Sequence, residues 1–124
     1  AFDACVALHG TLAHPPSKGA IASLAAELAR VLRPGGVLVI EAPSPSWDAG
    51  GAPGEADDDG RAVARLDAEH SVAEDRVANV AVPFMTLAAT SWEALLAPSF
   101  RARATDDGRE IRVIASAVAP KPGA

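Results

Sequence analysis

The stretch Leu32 to Pro43, Leu-Arg-Pro-Gly-Gly-Val-Leu-Val-Ile-Glu-Ala-Pro, most restricts what this chain can fold into. Proline fixes its own φ and has no N–H to donate, so Pro34 ends a preceding helix, while Gly35 and Gly36 supply the backbone freedom of a sharp turn. Val37 to Ile40 is then aliphatic without alternation, which suits a strand covered on both faces, as in a parallel sheet. Helix, tight turn and buried strand form an α/β unit. Phosphate-binding glycine loops run from a strand into a helix, so that the helix N-terminus meets the anion. Here the order is reversed, and Gly35-Gly36 reads as a structural turn.

The residues upstream fit the same unit. Ala4 to Leu8 is a short apolar run bounded by Asp3 and by His9-Gly10, which predicts a buried strand. Pro15-Pro16 excludes helix until Ser17, whose hydroxyl is a natural N-cap. Ile21, Leu24, Leu28, Val31 and Leu32 then fall at the spacing of one helical face, and Arg30 and Arg33 complement the negative helix end. Strand, crossover helix and strand predict a right-handed parallel pair, with ligands beyond the carboxyl ends of the strands. That rule points to Leu8–His14 and to Glu41–Trp47.

Downstream, residues 44–84 read as an insertion or lid within one domain spanning 1–124. Ser44 to Gly60 is rich in Pro, Gly, Ser and Asp, a long loop. Its Asp57-Asp58-Asp59 lacks calcium-loop spacing and reads as a solvated acidic turn. Arg61 to His70 has an imperfect period of two and Val77 to Phe84 is rich in β-branched residues. They predict a β-hairpin over the sheet's carboxyl edge, with a helix over the first half as the competing reading. Thr90-Ser91-Trp92-Glu93 matches a capping box, from which a short helix runs to Ala97 before Pro98. Phe100–Thr105 and Arg109–Val118 flank Asp106-Asp107-Gly108, an antiparallel hairpin signal, and the tail from Pro120 to Ala124 is expected to fray.

A chain of 124 residues fits one domain, and its net charge of −5 argues against a general nucleic-acid or anionic-membrane binder. The lone Cys5 has no intrachain partner, and neither a long apolar window nor a signal-peptide pattern appears in these residues. A cytoplasmic location is therefore expected. The opening Ala1-Phe2-Asp3 lacks an initiator methionine and enters an apolar run at once, so a longer parent protein is expected.

Phe2-Asp3 opening the first strand, followed by Val31-Leu32-Arg33-Pro34-Gly35-Gly36-Val37-Leu38-Val39-Ile40-Glu41 and the terminal hairpin, resembles the carboxyl-terminal half of class I S-adenosylmethionine-dependent methyltransferases. The resemblance covers nearly the whole chain. It implies a partial Rossmann-like α/β sheet in which these strands are the family's fourth to seventh, the last being antiparallel. The family's glycine-rich cofactor loop and its ribose-binding acid have no counterpart in these residues. The resemblance therefore implies methyl transfer to a small-molecule substrate by a longer protein, the isolated 124 residues being inactive. It also implies that the open flank of the first strand is prone to self-association.

By position, the resemblance assigns Ala7, Leu8 and His9 to the methionine part of S-adenosylmethionine. His14, in the following loop, is a candidate for substrate contact and for general base, since methyl transfer to a protonated nucleophile benefits from a base near neutral pKa. Trp47 stacks on substrate or anchors its loop. The bland readings are a turn or surface histidine for His9 and His14, an inert core thiol for Cys5, and a solvent-facing strand end for Glu41. His9, His14 and His70 match no zinc pattern, so no metal is expected. Ser44 and Ser46 lack a base partner for nucleophilic catalysis. Two alternatives stand beside the enzyme: a non-catalytic α/β interaction domain that has lost the cofactor site, and another nucleotide-binding enzyme such as a dehydrogenase.

Overall fold

The computed structural model describes residues 2–8, 10–15, 17–46 and 61–118. His9, Trp47, the Asp57–Asp59 run with the rest of positions 47–60, and the tail expected to fray lie outside them.

Strand β1 (Phe2–Ala7) leads through a short 3-10 turn (Thr11–Ala13) to helix α1 (Lys18–Val31), which delivers the chain directly into β2 (Leu32–Pro43). Ser17 caps α1 as expected, its hydroxyl accepting from the Ala20 amide at 3.1 Å. The helix buries Ile21 and Ala25, with Leu28 packed alongside, and leaves Leu24 at the margin with 38% exposure. The covered stripe is therefore rotated slightly from the predicted one, because alanine lets the helix lie closest to the sheet.

β1 and β2 pair in parallel, from Ala4 opposite Val37 to Ala7 opposite Ile40. Two residue steps on β1, Phe2 to Ala4, face five on β2, Leu32 to Val37, so the Pro-Gly-Gly turn is a large bulge inside the paired strand. Its two glycines serve different ends. Gly35 takes φ +78 with open space around it, whereas a Cβ on Gly36 would lie 2.8 Å from the Arg33 carbonyl and 3.2 Å from that of Asp3. Gly35 turns the chain and Gly36 lets two backbones meet.

After residue 60 comes a separate antiparallel sheet of three strands, β3 (Arg61–Arg65), β4 (His70–Asp75) and β5 (Val80–Met85), in that order. The expected hairpin is thus a meander: the stretch between the two predicted strands, between His70 and Val77, is itself the central strand β4. Aspartates make the change possible. Asp67 Oδ1 accepts from the Glu69 and His70 amides, and Asp75 Oδ1 from those of Val77 and Ala78, with Asn79 left-handed at φ 56. Each closes a tight turn where composition alone suggested strand.

Helix α2 (Ala89–Leu96) begins at Ala88 without a side-chain cap, so the capping box does not form. Leu87 is fully buried and brings the chain into the helix early, which places Glu93 too deep in the helix to reach back. Its Oε2 instead accepts from the Ala104 amide at 3.0 Å. That amide belongs to β6 (Phe100–Asp106), which pairs antiparallel with β7 (Glu110–Ala117). The main sheet runs β1-β2-β7-β6, mixed because β7 is antiparallel to both neighbours. Leu38, Ile40, Ile111 and Val113 face Ile21, Trp92 and Leu96 in one core, each fully or almost fully buried.

Two expectations follow. Gly36→Ala costs about 1–3 kcal/mol through forced backbone movement, and Gly36→Asn at least as much, whereas Gly35→Asn is tolerated because asparagine accepts left-handed φ. Urea melts of the three variants check this, and an unchanged Gly36→Ala midpoint contradicts it. Second, amide donation from Arg109 and then Glu110 holds the Asp107 carboxyl below its ordinary value of 3.8. A lowered folded-state pKa adds stability that is present above the ordinary value and drains away as pH falls through the lowered one. The stability gap between wild type and Asp107→Ala is accordingly constant at neutral pH and closes in strong acid; a gap that widens in acid contradicts the assignment.

Candidate functional site

The carboxyl ends of β1 and β2 are stitched together by backbone. The Gly10 amide, at φ +78, donates to the Glu41 carbonyl at 2.9 Å, and Ala13 N–H donates to Gly10 at 2.9 Å. Thr11 donates twice to the Leu8 carbonyl, from its amide at 3.2 Å and from Oγ1 at 2.6 Å. Both lone pairs of that carbonyl are thereby used. Leu12 and Ala13 are buried, which pins the 3-10 turn to the core and projects His14 outward.

His14 Nδ1 lies 3.0 Å from the carbonyl oxygen of Pro83. A carbonyl only accepts, so Nδ1 carries the hydrogen, and in the neutral ring Nε2 is the basic nitrogen. Pro83 sits in β5, an outer strand of the meander, where proline leaves no ladder bond unmade. The bond ties the loop after β1 to the outer strand of the three-stranded sheet. Nearby, Lys18 Nζ pairs with Glu69 Oε2 at 2.7 Å, and the Thr86 amide donates to the Glu69 carbonyl at 2.8 Å. Phe84, Met85 and Leu87 are buried beside these links, so apolar contact rather than the exposed ion pair supplies most of the docking energy.

Of the residues predicted from sequence, Ala7, Leu8 and His14 meet at this edge. Ala7 is buried at the end of β1 and Leu8 is 37% exposed beyond it. His70 is elsewhere: its Nδ1 lies 2.9 Å from Asp67 Oδ1, where amide donation from Glu69, then the His70 side chain, lowers the Asp67 carboxyl pKa. It closes a turn. Among the described residues no three His, Cys, Asp or Glu side chains converge on a point. Ser44 is fully buried, donating from Oγ to Asp106 Oδ2 at 3.0 Å and accepting from the Ser46 amide, so it ties the end of β2 to the β6–β7 turn. Glu41 is half-buried opposite Arg112, on the sheet face away from the helices. Cys5 packs half-buried against the core. Among the described residues no helix is long and apolar enough to cross a membrane.

Lys18, Glu69 and Pro83 carried no sequence signal for this role. Their partners lie far along the chain, and only the fold brings them together.

No family model matches the chain, and no curated protein matches it. Solved structures do. An S-adenosylmethionine-dependent methyltransferase from Clostridium acetobutylicum superimposes with a TM-score of 0.76 at 11% identity, over 95% of this chain and 59% of that one. A sugar N-methyltransferase from Streptoalloteichus sp. gives 0.64 at 22% identity, over 95% and 57%. An amino pentose methyltransferase from Micromonospora echinaspora, solved with S-adenosylmethionine bound, gives 0.62 at 18%, over 92% and 58%. The chain spans less than three-fifths of each of these structures. Its architecture is that of a class I S-adenosylmethionine-dependent methyltransferase, present over somewhat more than half of such a protein's length.

Proposed function

We propose that this chain is the carboxyl-terminal part of an enzyme that transfers a methyl group from S-adenosylmethionine to a small molecule, an amino sugar being the favoured class. In this reading β1, β2, β6 and β7 are the fourth, fifth, sixth and seventh strands of the methyltransferase sheet, and residues 44–84 form the insertion over its carboxyl edge. The amino-sugar class is supported by two of the structural neighbours, described as acting on a sugar nitrogen and on an amino pentose.

The described residues fit one end of the cofactor only. Ala7 and Leu8 offer a strand end with an exposed apolar side chain for its methionine part. His9 would join them. The Leu8 carbonyl is committed to Thr11 and is not a free acceptor for the cofactor's ammonium. The acidic residue that holds the cofactor ribose in the resembled family has no assigned counterpart among the described residues. When bound, S-adenosylmethionine supplies a methyl on a sulfonium, already electrophilic, so the protein's task is alignment and exclusion of water.

His14 carries the proposal. An amino sugar is a cation at neutral pH and must lose a proton before its nitrogen can attack. With Nδ1 held by Pro83, His14 presents Nε2 outward as the acceptor for that proton. Trp47, at the start of the insertion, is assigned to stacking on the sugar ring. The β1 edge, bare in these residues, favours association as a second reading: Phe2 is 65% exposed on it.

The test uses the longer protein with S-adenosylmethionine and an amino sugar. His14→Ala lowers kcat about a hundred-fold near neutral pH with little change in KM, and the loss is recovered as pH rises and the amine deprotonates unaided. Ring nitrogen shifts of the wild type show the Nδ1–H tautomer. No transfer to any amino sugar excludes the substrate class, and a kcat loss independent of pH excludes His14 as the base.

A further inference from the structure

Strand β6 closes one end of the main sheet, with β7 as its sole strand neighbour among the described residues. Half of its backbone groups therefore face away from the sheet. Along a strand the N–H and C=O of one residue point to the same side, and the side alternates. The Ser99 carbonyl accepts from the Val118 amide at 3.1 Å, and the Asp107 amide donates to the Glu110 carbonyl at 3.2 Å, so odd-numbered residues turn toward β7. Ala102, Ala104 and Asp106 turn outward, where a further strand would bond.

The middle position of these three is already taken. Glu93 reaches from α2 to this edge, and its Oε2 accepts from the Ala104 amide at 3.0 Å. Hydrogen bonds from amides to a carboxylate are shorter and stronger than those to a carbonyl, so an incoming strand competes at a disadvantage for this donor. The Ala102 and Ala104 side chains pack toward the core, while Arg101, Arg103 and Thr105 stand exposed on the other face.

The edge also matches its own copy in one register. Antiparallel pairing about a two-fold axis at Ala104 places Arg103 opposite Thr105 and Arg101 opposite Asp107, each twice, and opposite charges across strands are stabilising. An axis one residue earlier sets Arg103 against itself, and one residue later sets Arg101 against Arg109. In the matched register the two copies of Ala104 exchange both of their backbone bonds, which requires the amide that Glu93 holds.

We infer that β6 carries a latent strand-pairing edge for a second copy of this chain, which Glu93 keeps closed by occupying the Ala104 amide at the centre of the charge-matched register. Charge decides the occupant, since the cations and the carboxylate that must meet lie on the same strand and its turn. The inference is independent of methyl transfer, so it and the amino-sugar assay fail separately.

Amide hydrogen exchange and sedimentation of the 124-residue chain, at low and at high concentration, test this. In the wild type the Ala104 amide is equally protected at both. In Glu93→Ala it exchanges about ten-fold faster when dilute, regains protection at high concentration, and the chain sediments as a dimer. Glu93→Gln retains a side-chain carbonyl for the amide and behaves as the wild type. Glu93→Ala/Ala104→Pro removes the donor without touching the ladder to β7 and stays monomeric. Glu93→Ala/Arg101→Asp, which sets like charges opposite, does the same. The Val113 amide, inside the sheet, keeps its protection throughout. Ala104 exchange in Glu93→Ala that ignores concentration overturns the inference. Equal acceleration at Val113 also overturns it, making Glu93 a stability contact alone. So does a dimer that protects β1 amides and leaves Ala104 unprotected, which would place association at the β1 edge.

Discussion

The pairing of β1 with β2 across the bulge at Leu32–Gly36 is the contact on which the rest depends. β1 has a neighbour on one side only among the described strands, and that neighbour is β2. The helix ends and the paired strand begins without an intervening loop, so five residues must be absorbed against two. The lack of a side chain on Gly36 makes this possible, since a Cβ there would press on carbonyls from both strands. The Arg33–Asp3 ion pair spans the same junction, but both side chains are exposed and add little. The bulge sets where Ala7 finishes relative to Glu41, and through the Gly10–Glu41 bond it sets where the loop bearing His14 leaves the sheet.

A second constraint fixes the three-stranded sheet. A three-stranded sheet of short strands is marginal alone, and this one is held by buried Phe84 and Met85 and by the bond from His14 to Pro83 on its outer strand. The same bond that anchors the sheet also selects the tautomer of His14. The latch occupies Nδ1 and leaves Nε2 outside this bond.

Local patterns were legible in the sequence, and long-range ones were not. The α1 helix, the Ser17 cap and the Asp-Gly turn each depend on neighbours a few residues away, and each is present; the aliphatic run of β2, read as covered on both faces, instead alternates between buried Leu38 and Ile40 and a Val37 that is 40% exposed. The meander was misread because Asp67 and Asp75 turn the chain by accepting two amides apiece, a geometry that composition does not reveal. The capping box failed although its letters were right, since burial of Leu87 moved the helix start. His14 was singled out by its place after a strand end; its partner Pro83 is 69 residues away and had no local signature. Gly35 and Gly36 were recognised together as a turn, while their separate reasons, positive φ and close approach, appear only in three dimensions.

If the carboxyl end of β1 is the cofactor edge, ligand binding must be felt there first. Amide shifts of the longer protein on addition of S-adenosylhomocysteine test this most directly. The account predicts the largest changes at Ala7 and Leu8, with smaller ones reaching His14 and Phe84, the residue after Pro83. Binding that leaves Ala7 and Leu8 unmoved, or that centres on Gly35-Gly36 at the opposite end of the strand, would contradict it.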